Sequence, residues 1–147
     1  IVSRRGPLDR VNIKTQPYPG FPTDLQPQIC VLMCLANGVS YLNESVWDNR
    51  FQYVSELKRM GANIRVNGRT AIIEGGKPLS AAALKACDLR AGAAMIIAGL
   101  SACGTTEIDD IYYVERGYDD IVGKLCSVGA NIVMRTVPDV VSFSKAT

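Results

Sequence analysis

The amino-acid sequence predicts an α/β (or α+β) fold in which sheets cover buried helices, and three features of its 147 residues indicate this. Two segments, residues 29–36 and 91–100, are apolar around their whole circumference, as in helices that lie inside a domain. Each segment is followed within a few residues by a glycine and then by a short β-type stretch. Matching residues recur after about 66 positions, which indicates an internal repeat.

A proline-rich loop, residues 15–28, leads into the first helix. Three prolines and one glycine within six residues keep this backbone out of a helix or an inner strand. The helix is predicted over residues 25–35 and ends at Asn37-Gly38. The loop therefore delivers Asp24 to a helix N-terminus, where partial positive charge keeps a carboxylate ionised.

A simpler interpretation of the same residues stays open. Thr23 is placed to cap the helix, with Gln26 completing a capping box. Asp24 would then only complement the helix dipole, as acidic residues in a first turn commonly do.

The rest of the first repeat is predicted from periodicity and turn residues. A short strand covers residues 39–42, and a helix with apolar residues at three-residue steps covers residues 48–60. An Asn-Gly pair at positions 67–68 separates the alternating segments 64–66 and 70–73. That arrangement predicts a β-hairpin.

The second repeat follows the same order. Asp88 begins a buried helix over residues 91–100, and a strand over residues 105–108 follows. Tyr112-Tyr113 is predicted to lie in a strand, because aromatic residues favour the pleated surface. A further helix is predicted over residues 116–128.

The limits of the two repeats follow from their matching positions. Residues 129–132 repeat residues 61–64 letter for letter. We therefore expect one partial domain over the whole chain, with repeats at about 11–78 and 79–138 and a frayed tail at 139–147. Two repeats leave open sheet edges, through which self-association is expected.

Composition limits the classes of function. The net charge of +2 is too small to indicate nucleic acid or an anionic membrane surface as a partner. No stretch approaches the ~20 apolar residues of a membrane span. The chain begins without Met and without the apolar core of a signal peptide, so we expect a fragment or a processed chain.

The five cysteines predict neither disulfides nor a metal site. Most lie in apolar segments, which favours buried free thiols in a reducing cytoplasm. Cys30 and Cys34 are one helical turn apart, but the chain has no histidine and no second cysteine pair at ligand spacing. It also has no P-loop and no dinucleotide fingerprint, so we expect no metal and no cofactor.

Charged residues recur at matching places in the two repeats. Asp24 and Asp88 stand at two helix starts, Arg50 and Arg116 at two others, and Arg90 follows Asp88 closely. If these helix starts converge, carboxylates and guanidinium groups form a site for a phosphorylated or carboxylated substrate. Purely structural ion pairs among the same residues are the alternative, and residue types do not decide between the two.

Several stretches closely resemble the UDP-N-acetylglucosamine enolpyruvyl transferases, also called UDP-N-acetylglucosamine 1-carboxyvinyltransferases. They are residues 17–28, Asn49-Arg50-Phe51, residues 56–62, residues 88–94 and Arg116-Gly117-Tyr118. The resemblance implies an inside-out α/β barrel of the enolpyruvyl transferase type, with three βαβαββ units in each of two domains. The chain resembles about two such units with buried helices, roughly a third of the enzyme.

The resemblance also implies the reaction. The 3′-hydroxyl of UDP-N-acetylglucosamine attacks C2 of phosphoenolpyruvate, C3 is protonated, and phosphate leaves from a tetrahedral intermediate. This is the first committed step of peptidoglycan synthesis, a cytoplasmic reaction on which cell-wall biogenesis, cell shape and the cell cycle depend. The implied partners are the two substrates and the remaining part of the transferase.

Roles for individual residues follow from the same resemblance. Asp24 matches the aspartate that accepts the hydroxyl proton as a general base. Val46 matches a position whose backbone contacts the nucleotide sugar, and Arg50 lies at the same wall. Asp88 and Arg90 match residues of the interdomain active site. One further match, Arg116, corresponds to an arginine that stabilises phosphoenolpyruvate and the closed state.

The sequence departs from the family pattern in a few places. Tyr112-Tyr113 stands where many members have histidines, Glu115 where aspartate precedes the arginine, Trp47 where phenylalanine is common, and Cys87 where threonine is usual. The lysine-asparagine pair and the proton-donating cysteine of the family belong to the other domain. The isolated chain is therefore expected to be inactive, and a non-catalytic fragment that binds a nucleotide sugar or serves a structural role is the alternative.

Overall fold

Short strands alternate with helices in the structure, a computed structural model that describes residues 3–4 and 6–136. The helices are α1 (Gln26–Leu35), α2 (Val54–Arg59), α3 (Leu89–Ser101), α4 (Tyr112–Gly117) and α5 (Ile121–Ser127). The strands are β1 (Asn12–Lys14), β2 (Gly38–Asn43), β3 (Asn63–Asn67), β4 (Thr70–Gly75), β5 (Ala83–Lys85) and β6 (Glu107–Asp109). A 3-10 turn, Thr23–Leu25, leads directly into α1.

The strands form two sheets. The larger has the order β1-β2-β4-β3, in which β1 is parallel to β2 and the other neighbours are antiparallel. The smaller pairs β5 with β6 in parallel. In β1-α1-β2 and in β5-α3-β6, a helix thus connects two parallel neighbours, as parallel pairing requires. The predicted mixed α/β class is confirmed.

The core lies around α1 and α3, which pack against each other. Cys30 and Val31 of α1 are fully buried, as are Ala94 and Met95 of α3. The sheet contributes residues that alternate along its strands, such as Leu42 in β2. Because both helices are apolar on nearly all sides, each can be buried between the other helix and a sheet.

Gly92 marks the close approach of two helices. A Cβ atom added to Gly92 would lie 2.4 Å from Cγ2 of Val114 in α4. No real Cβ atom tolerates that distance, so glycine is the residue that lets α3 and α4 pack there.

The hairpin is also confirmed. Asn63 to Asn67 pairs with Thr70 to Glu74, and Asn67 lies opposite Thr70. The two residues between them are Gly68 and Arg69, and Gly68 adopts a φ of 57° that a side chain disfavours.

Three of the predicted helices and strands were wrong, and all three lie in the second half of a repeat. Tyr112-Tyr113 lies in the first turn of α4 and not in a strand. The predicted helix over residues 116–128 covers only the end of α4 and the whole of α5. The two helices are separate because Tyr118 is extended and Asp120 is left-handed, with its side chain accepting from Gly123 N–H. The predicted helix over residues 48–60 begins only at Val54, since Asn49 is left-handed with a φ of 53°.

The limits of the repeats remain a prediction. Among the described residues, no strand follows α5, although residues 129–132 match the start of β3 in sequence. Residues 137–138 of the second repeat and the whole tail 139–147 lie outside the described residues.

The thiols are free, as expected, but the expectation of burial holds for only two of the five. Cys30 and Cys34 are buried in α1, whereas Cys87, Cys103 and Cys126 are exposed. The exposed three lie at or beyond the ends of elements or on an outer helix face, where an apolar neighbourhood in sequence does not imply cover.

Candidate active site

The residues singled out in the sequence all follow strands that pair in parallel. Asp24 comes after β1, Val46 and Arg50 after β2, Asp88 and Arg90 after β5, and Arg116 after β6. The carboxyl ends of parallel strands share one edge of a sheet, and ligands of open α/β sheets bind outside that edge. The topology therefore places these residues after the strands of two parallel pairs, one pair in each sheet.

Asp24 accepts hydrogen bonds from two arginines. Nε of Arg90 lies 2.6 Å from Oδ1, and Nη2 of Arg90 lies 3.0 Å from Oδ2. This two-point contact is the strong form of an arginine–carboxylate pair. Arg50 also approaches Asp24, with its Nη2 3.5 Å from the same Oδ1. The carboxylate thus lies between two guanidinium groups.

These contacts set the charge state of the cluster. The hydrogen bond from Arg90, with the positive charges of Arg90 and Arg50, holds the pKa of the Asp24 carboxyl below its ordinary value, although partial burial opposes this. The same bond raises the pKa of Arg90. The Asp24 side chain is still 57% exposed, so a ligand can reach the pair.

Asp88 has a different place from Asp24, although the repeat aligns them. It is the N-cap residue of α3, and its Oδ1 accepts from the backbone N–H groups of Arg90 and Ala91, each at 2.8 Å. This cap fixes the first turn of α3 and, with it, the direction from which Arg90 reaches Asp24. The two aspartates are equivalent in sequence but not in contacts.

Val46 lies beside a polar cavity of about 220 Å³. Its backbone N–H already donates to Glu44 at 2.9 Å. A main-chain contact between Val46 and a ligand would therefore use the carbonyl group. The next residue, Trp47, is 58% exposed and begins the cavity wall. The lining residues are Trp47, Asp48, Asn49, Arg50, Gln52, Tyr53 and Asp88.

Arg116 is not joined to this cluster. It lies in the last turn of α4, its side chain is exposed, and it makes no salt bridge with any carboxylate in the described part of the chain. The neighbouring Gly117 packs on Leu89 at the start of α3, and Tyr118 is close enough to Arg90 to influence its pKa. Arg116 therefore stands near the cluster but contacts neither Asp24 nor Asp88.

The capping-box interpretation of the first helix is wrong. The N-cap of α1 is Leu25, which has no side-chain cap, and Gln26 accepts a hydrogen bond from Tyr53 Oη at 3.0 Å. The Thr23 hydroxyl donates instead to Glu44 at 2.9 Å. A partner 21 positions away in sequence was available to Thr23, and local spacing gives no sign of it.

Glu44 was missed in the sequence. It is a buried carboxylate directly after β2, and it accepts hydrogen bonds from both loops that carry site residues. An acidic residue that immediately follows a half-buried strand is the signal that could have drawn attention to it, because buried carboxylates need partners.

A larger cavity lies elsewhere in the described part of the chain. It measures about 820 Å³ and runs between the outer face of α3 and residues 121–135. None of the six predicted site residues lines it. The polar cavity beside Arg50 and Asp88 is therefore the better candidate for a charged substrate, because it has convergent polar groups.

Comparison with known families finds one match. The sequence profile of the EPSP synthase (3-phosphoshikimate 1-carboxyvinyltransferase) family matches residues 2–125. The chain belongs to the EPSP synthase family. It therefore belongs to a family named for the transfer of a carboxyvinyl group.

Individual relatives are similar over most of the chain. UDP-N-acetylglucosamine 1-carboxyvinyltransferase 3 of Caldanaerobacter subterraneus subsp. tengcongensis is 55% identical over 132 residues, which cover 90% of this chain and 32% of the relative. The UDP-N-acetylglucosamine 1-carboxyvinyltransferase of Clostridium botulinum is 56% identical over the same coverage. This chain thus spans about a third of the length of these relatives.

A solved structure shares the fold. The enolpyruvyl transferase NikO from Streptomyces tendae superimposes with a TM-score of 0.82 and 33% sequence identity, over 90% of this chain and 31% of that one. Among the described residues, no helix combines the length and the apolar character that crossing a membrane requires. Within the same residues, no group of three acidic, cysteine or histidine side chains is placed to hold a metal ion.

Proposed function

We propose that the protein containing this chain transfers the enolpyruvyl group of phosphoenolpyruvate to the 3′-hydroxyl of UDP-N-acetylglucosamine and releases phosphate. This would be the first committed step of peptidoglycan synthesis in the cytoplasm, and it would use no metal or cofactor. The observation that carries the proposal is the placement of Asp24 between Arg50 and Arg90, at the carboxyl ends of the parallel strands. The names of the relatives at 55% and 56% identity support the choice of substrates.

Asp24 is the proposed general base for the attacking hydroxyl. While Arg90 occupies both carboxylate oxygens, the lowered pKa of Asp24 makes it a weak base. Phosphoenolpyruvate brings a phosphate and a carboxylate, which are stronger partners for a guanidinium group. When Arg90 turns to that anion, the pKa of Asp24 rises and the carboxylate is freed to accept the proton.

The nucleotide sugar is proposed to occupy the cavity beside Trp47. In this proposal the carbonyl of Val46, which directly precedes Trp47, contacts the sugar, and Asp88 and Arg50 border the cavity. Arg50 also has a buried Nε without a hydrogen-bond partner among the described residues. A buried donor of this kind gains a hydrogen bond from a polar ligand that enters.

Arg116 and the rest of the enzyme complete the proposed site. Arg116 is exposed on α4 and is proposed to bind the phosphate of phosphoenolpyruvate when the missing part closes over this face. The full domain is proposed to be an inside-out α/β barrel, in which further strands cover the edges of the two sheets. Those edges are unpaired in the described part, so self-association of the isolated chain remains a prediction.

The test is a turnover assay with the full-length protein. Supplied with UDP-N-acetylglucosamine and phosphoenolpyruvate, it should release phosphate and yield a sugar nucleotide whose mass has increased by one enolpyruvyl group. Residues 1–147 alone should release none under the same conditions. Turnover with shikimate 3-phosphate in place of the nucleotide sugar would overturn the choice of acceptor, and turnover by residues 1–147 alone would overturn the need for the missing part.

A further inference from the structure

Glu44 is a buried carboxylate that is held by hydrogen bonds. Its side chain follows directly on β2, and the residue is 1% exposed. Among the described residues, no lysine or arginine forms a salt bridge with it. A buried charge without a counter-ion is costly, so hydrogen bonds must compensate for the lost hydration.

Four hydrogen bonds to the Glu44 carboxylate compensate for its lost hydration. Oε1 of Glu44 accepts from the Thr15 hydroxyl at 2.7 Å. The same oxygen accepts from the backbone N–H groups of Val46 and Trp47 at 2.9 and 3.1 Å. Oε2 accepts from the Thr23 hydroxyl at 2.9 Å. Burial alone would raise the pKa of Glu44, but these bonds outweigh it and the pKa is lowered, so the group stays ionised.

The four donors come from the two loops that carry the candidate site. Thr15 and Thr23 stand at the two ends of the proline-rich loop, and Thr23 directly precedes Asp24. Val46 and Trp47 belong to the connection that leads from β2 to Arg50. One carboxylate therefore fixes the distance between the base and the wall of the substrate cavity.

A second set of hydrogen bonds holds the beginning of the proline-rich loop in place. Thr15 N–H donates to the Asn43 carbonyl at 2.9 Å, and Gln16 N–H donates to the Phe21 carbonyl at 2.9 Å. Ser45 N–H donates to the Thr15 hydroxyl at 2.9 Å. The Thr15 end of the loop is thus held by the backbone as well, whereas the described hydrogen bonds of the Thr23 side chain go to Glu44 alone.

We propose that Glu44 is a positioning residue, which through its hydrogen bond to Thr23 holds Asp24 in reach of Arg90 and of the hydroxyl to be deprotonated. The proposal rests on the proposed function for the identity of the substrate, but not for the placement of Asp24. Without the hydrogen bond between Thr23 and Glu44, the 3-10 turn that carries Asp24 can shift relative to Arg50 and Arg90. A displacement of about 1 Å at a catalytic group can cost about 10²-fold in rate.

Thr23→Val in the full-length protein removes the hydrogen bond to Glu44 with little change in the shape of the side chain. Its kcat should fall at least about 10-fold while both KM values change by less than about 2-fold, because the substrates still bind. Thr23→Ser restores the hydroxyl and should restore kcat. Thr70→Val is the matched control, since the Thr70 hydroxyl accepts from Asn43 at 2.8 Å in the same sheet but touches neither loop.

A measurement without substrate separates this proposal from the proposed function. The pKa of the Asp24 carboxyl, followed by NMR, should rise in Thr23→Val as the contacts with Arg90 and Arg50 loosen, and stay unchanged in Thr70→Val. If the wild type shows no turnover but Thr23→Val raises this pKa, the proposed function fails and the positioning role stands. If Thr23→Val matches Thr70→Val in both kcat and the pKa of Asp24, the positioning role is wrong.

Glu44 itself is tested by a matched pair of variants. Glu44→Gln keeps an acceptor for Thr15, Val46 and Trp47, and its amide can donate to the Thr23 hydroxyl, so most of kcat should remain. Glu44→Ala leaves all four donors unsatisfied and should lose about 10²-fold in kcat. Equal losses in folded Glu44→Gln and Glu44→Ala would show that the charge, and not the positioning contacts, is what matters.

Discussion

At the scale of single residues, the central feature is a carboxylate held by two arginines that are distant in sequence. Arg90 is 66 positions from Asp24, and Arg50 is 26 positions from it. The sequence placed all three at helix starts, so their convergence could be expected. The two-point geometry with Arg90 could not, because it depends on how the Asp88 cap directs the first turn of α3.

The lowered pKa of Asp24 has a direct test. In the full-length protein, Arg90→Ala should raise the pKa of the Asp24 carboxyl toward the ordinary aspartate value of about 3.9, because the largest stabilising contact is removed. NMR titration of the side-chain carboxyl resonance measures it. Arg59→Ala is the control, since Arg59 pairs with Glu56 at 3.3 Å and not with Asp24. An unchanged pKa in Arg90→Ala would contradict the assigned cause.

The lowered pKa of Asp24 also determines how its contribution to folding stability depends on pH. Asp24 has a lower pKa in the folded protein than in the unfolded chain, so its contribution is present at neutral pH. That contribution is lost as pH falls through the folded-state pKa. Because the side chain is 57% exposed, solvent screens the pair and its share of the total stability is small.

At the scale of elements, helices whose apolar character is continuous were predicted well and short polar helices were not. α1 and α3 differ from their predicted limits by one or two residues, because glycine, asparagine and Asp88 mark their ends. The predicted helix over residues 116–128 joined the last two residues of α4 to α5, since the left-handed Asp120 between them has no unique sequence signal. Thr23 was misassigned because a distant carboxylate competed with local capping.

The packing of α3 on α4 gives a prediction of its own. Gly92→Ala should destabilise the full-length protein by about 1–3 kcal/mol, because the new methyl group would meet Val114. The midpoint of thermal unfolding measures the change. Val114→Ala added to Gly92→Ala should recover part of the loss, since it removes the atom that clashes.

Gly99→Ala in the same helix serves as the control. Its Cβ atom would lie 3.2 Å from the Thr106 side chain, so neighbours need to move only slightly. Both substitutions gain the same helix propensity of about 1 kcal/mol. If Gly92→Ala is no less stable than Gly99→Ala, the close contact between α3 and α4 is not what requires glycine.

At the scale of the whole molecule, three of the charged residues singled out in the two repeats meet, namely Asp24, Arg50 and Arg90, whereas Arg116 does not join them. The units β1-α1-β2 and β5-α3-β6 meet at the site through the contact between Asp24 and Arg90. Arg116 stayed apart from Asp24, because the break between α4 and α5 leaves it on an exposed helix end. Its proposed role depends on the two thirds of the relatives' length that this chain does not cover.

The most direct test of the account is the turnover of full-length Asp24→Asn with UDP-N-acetylglucosamine and phosphoenolpyruvate. The amide keeps the shape of the side chain but accepts no proton, so kcat should fall by at least about 10²-fold. Asp119→Asn is the control, because Asp119 is 99% exposed and pairs only with Lys124 among the described residues. Turnover by Asp24→Asn at the rate of Asp119→Asn would contradict the assignment of Asp24 as the base.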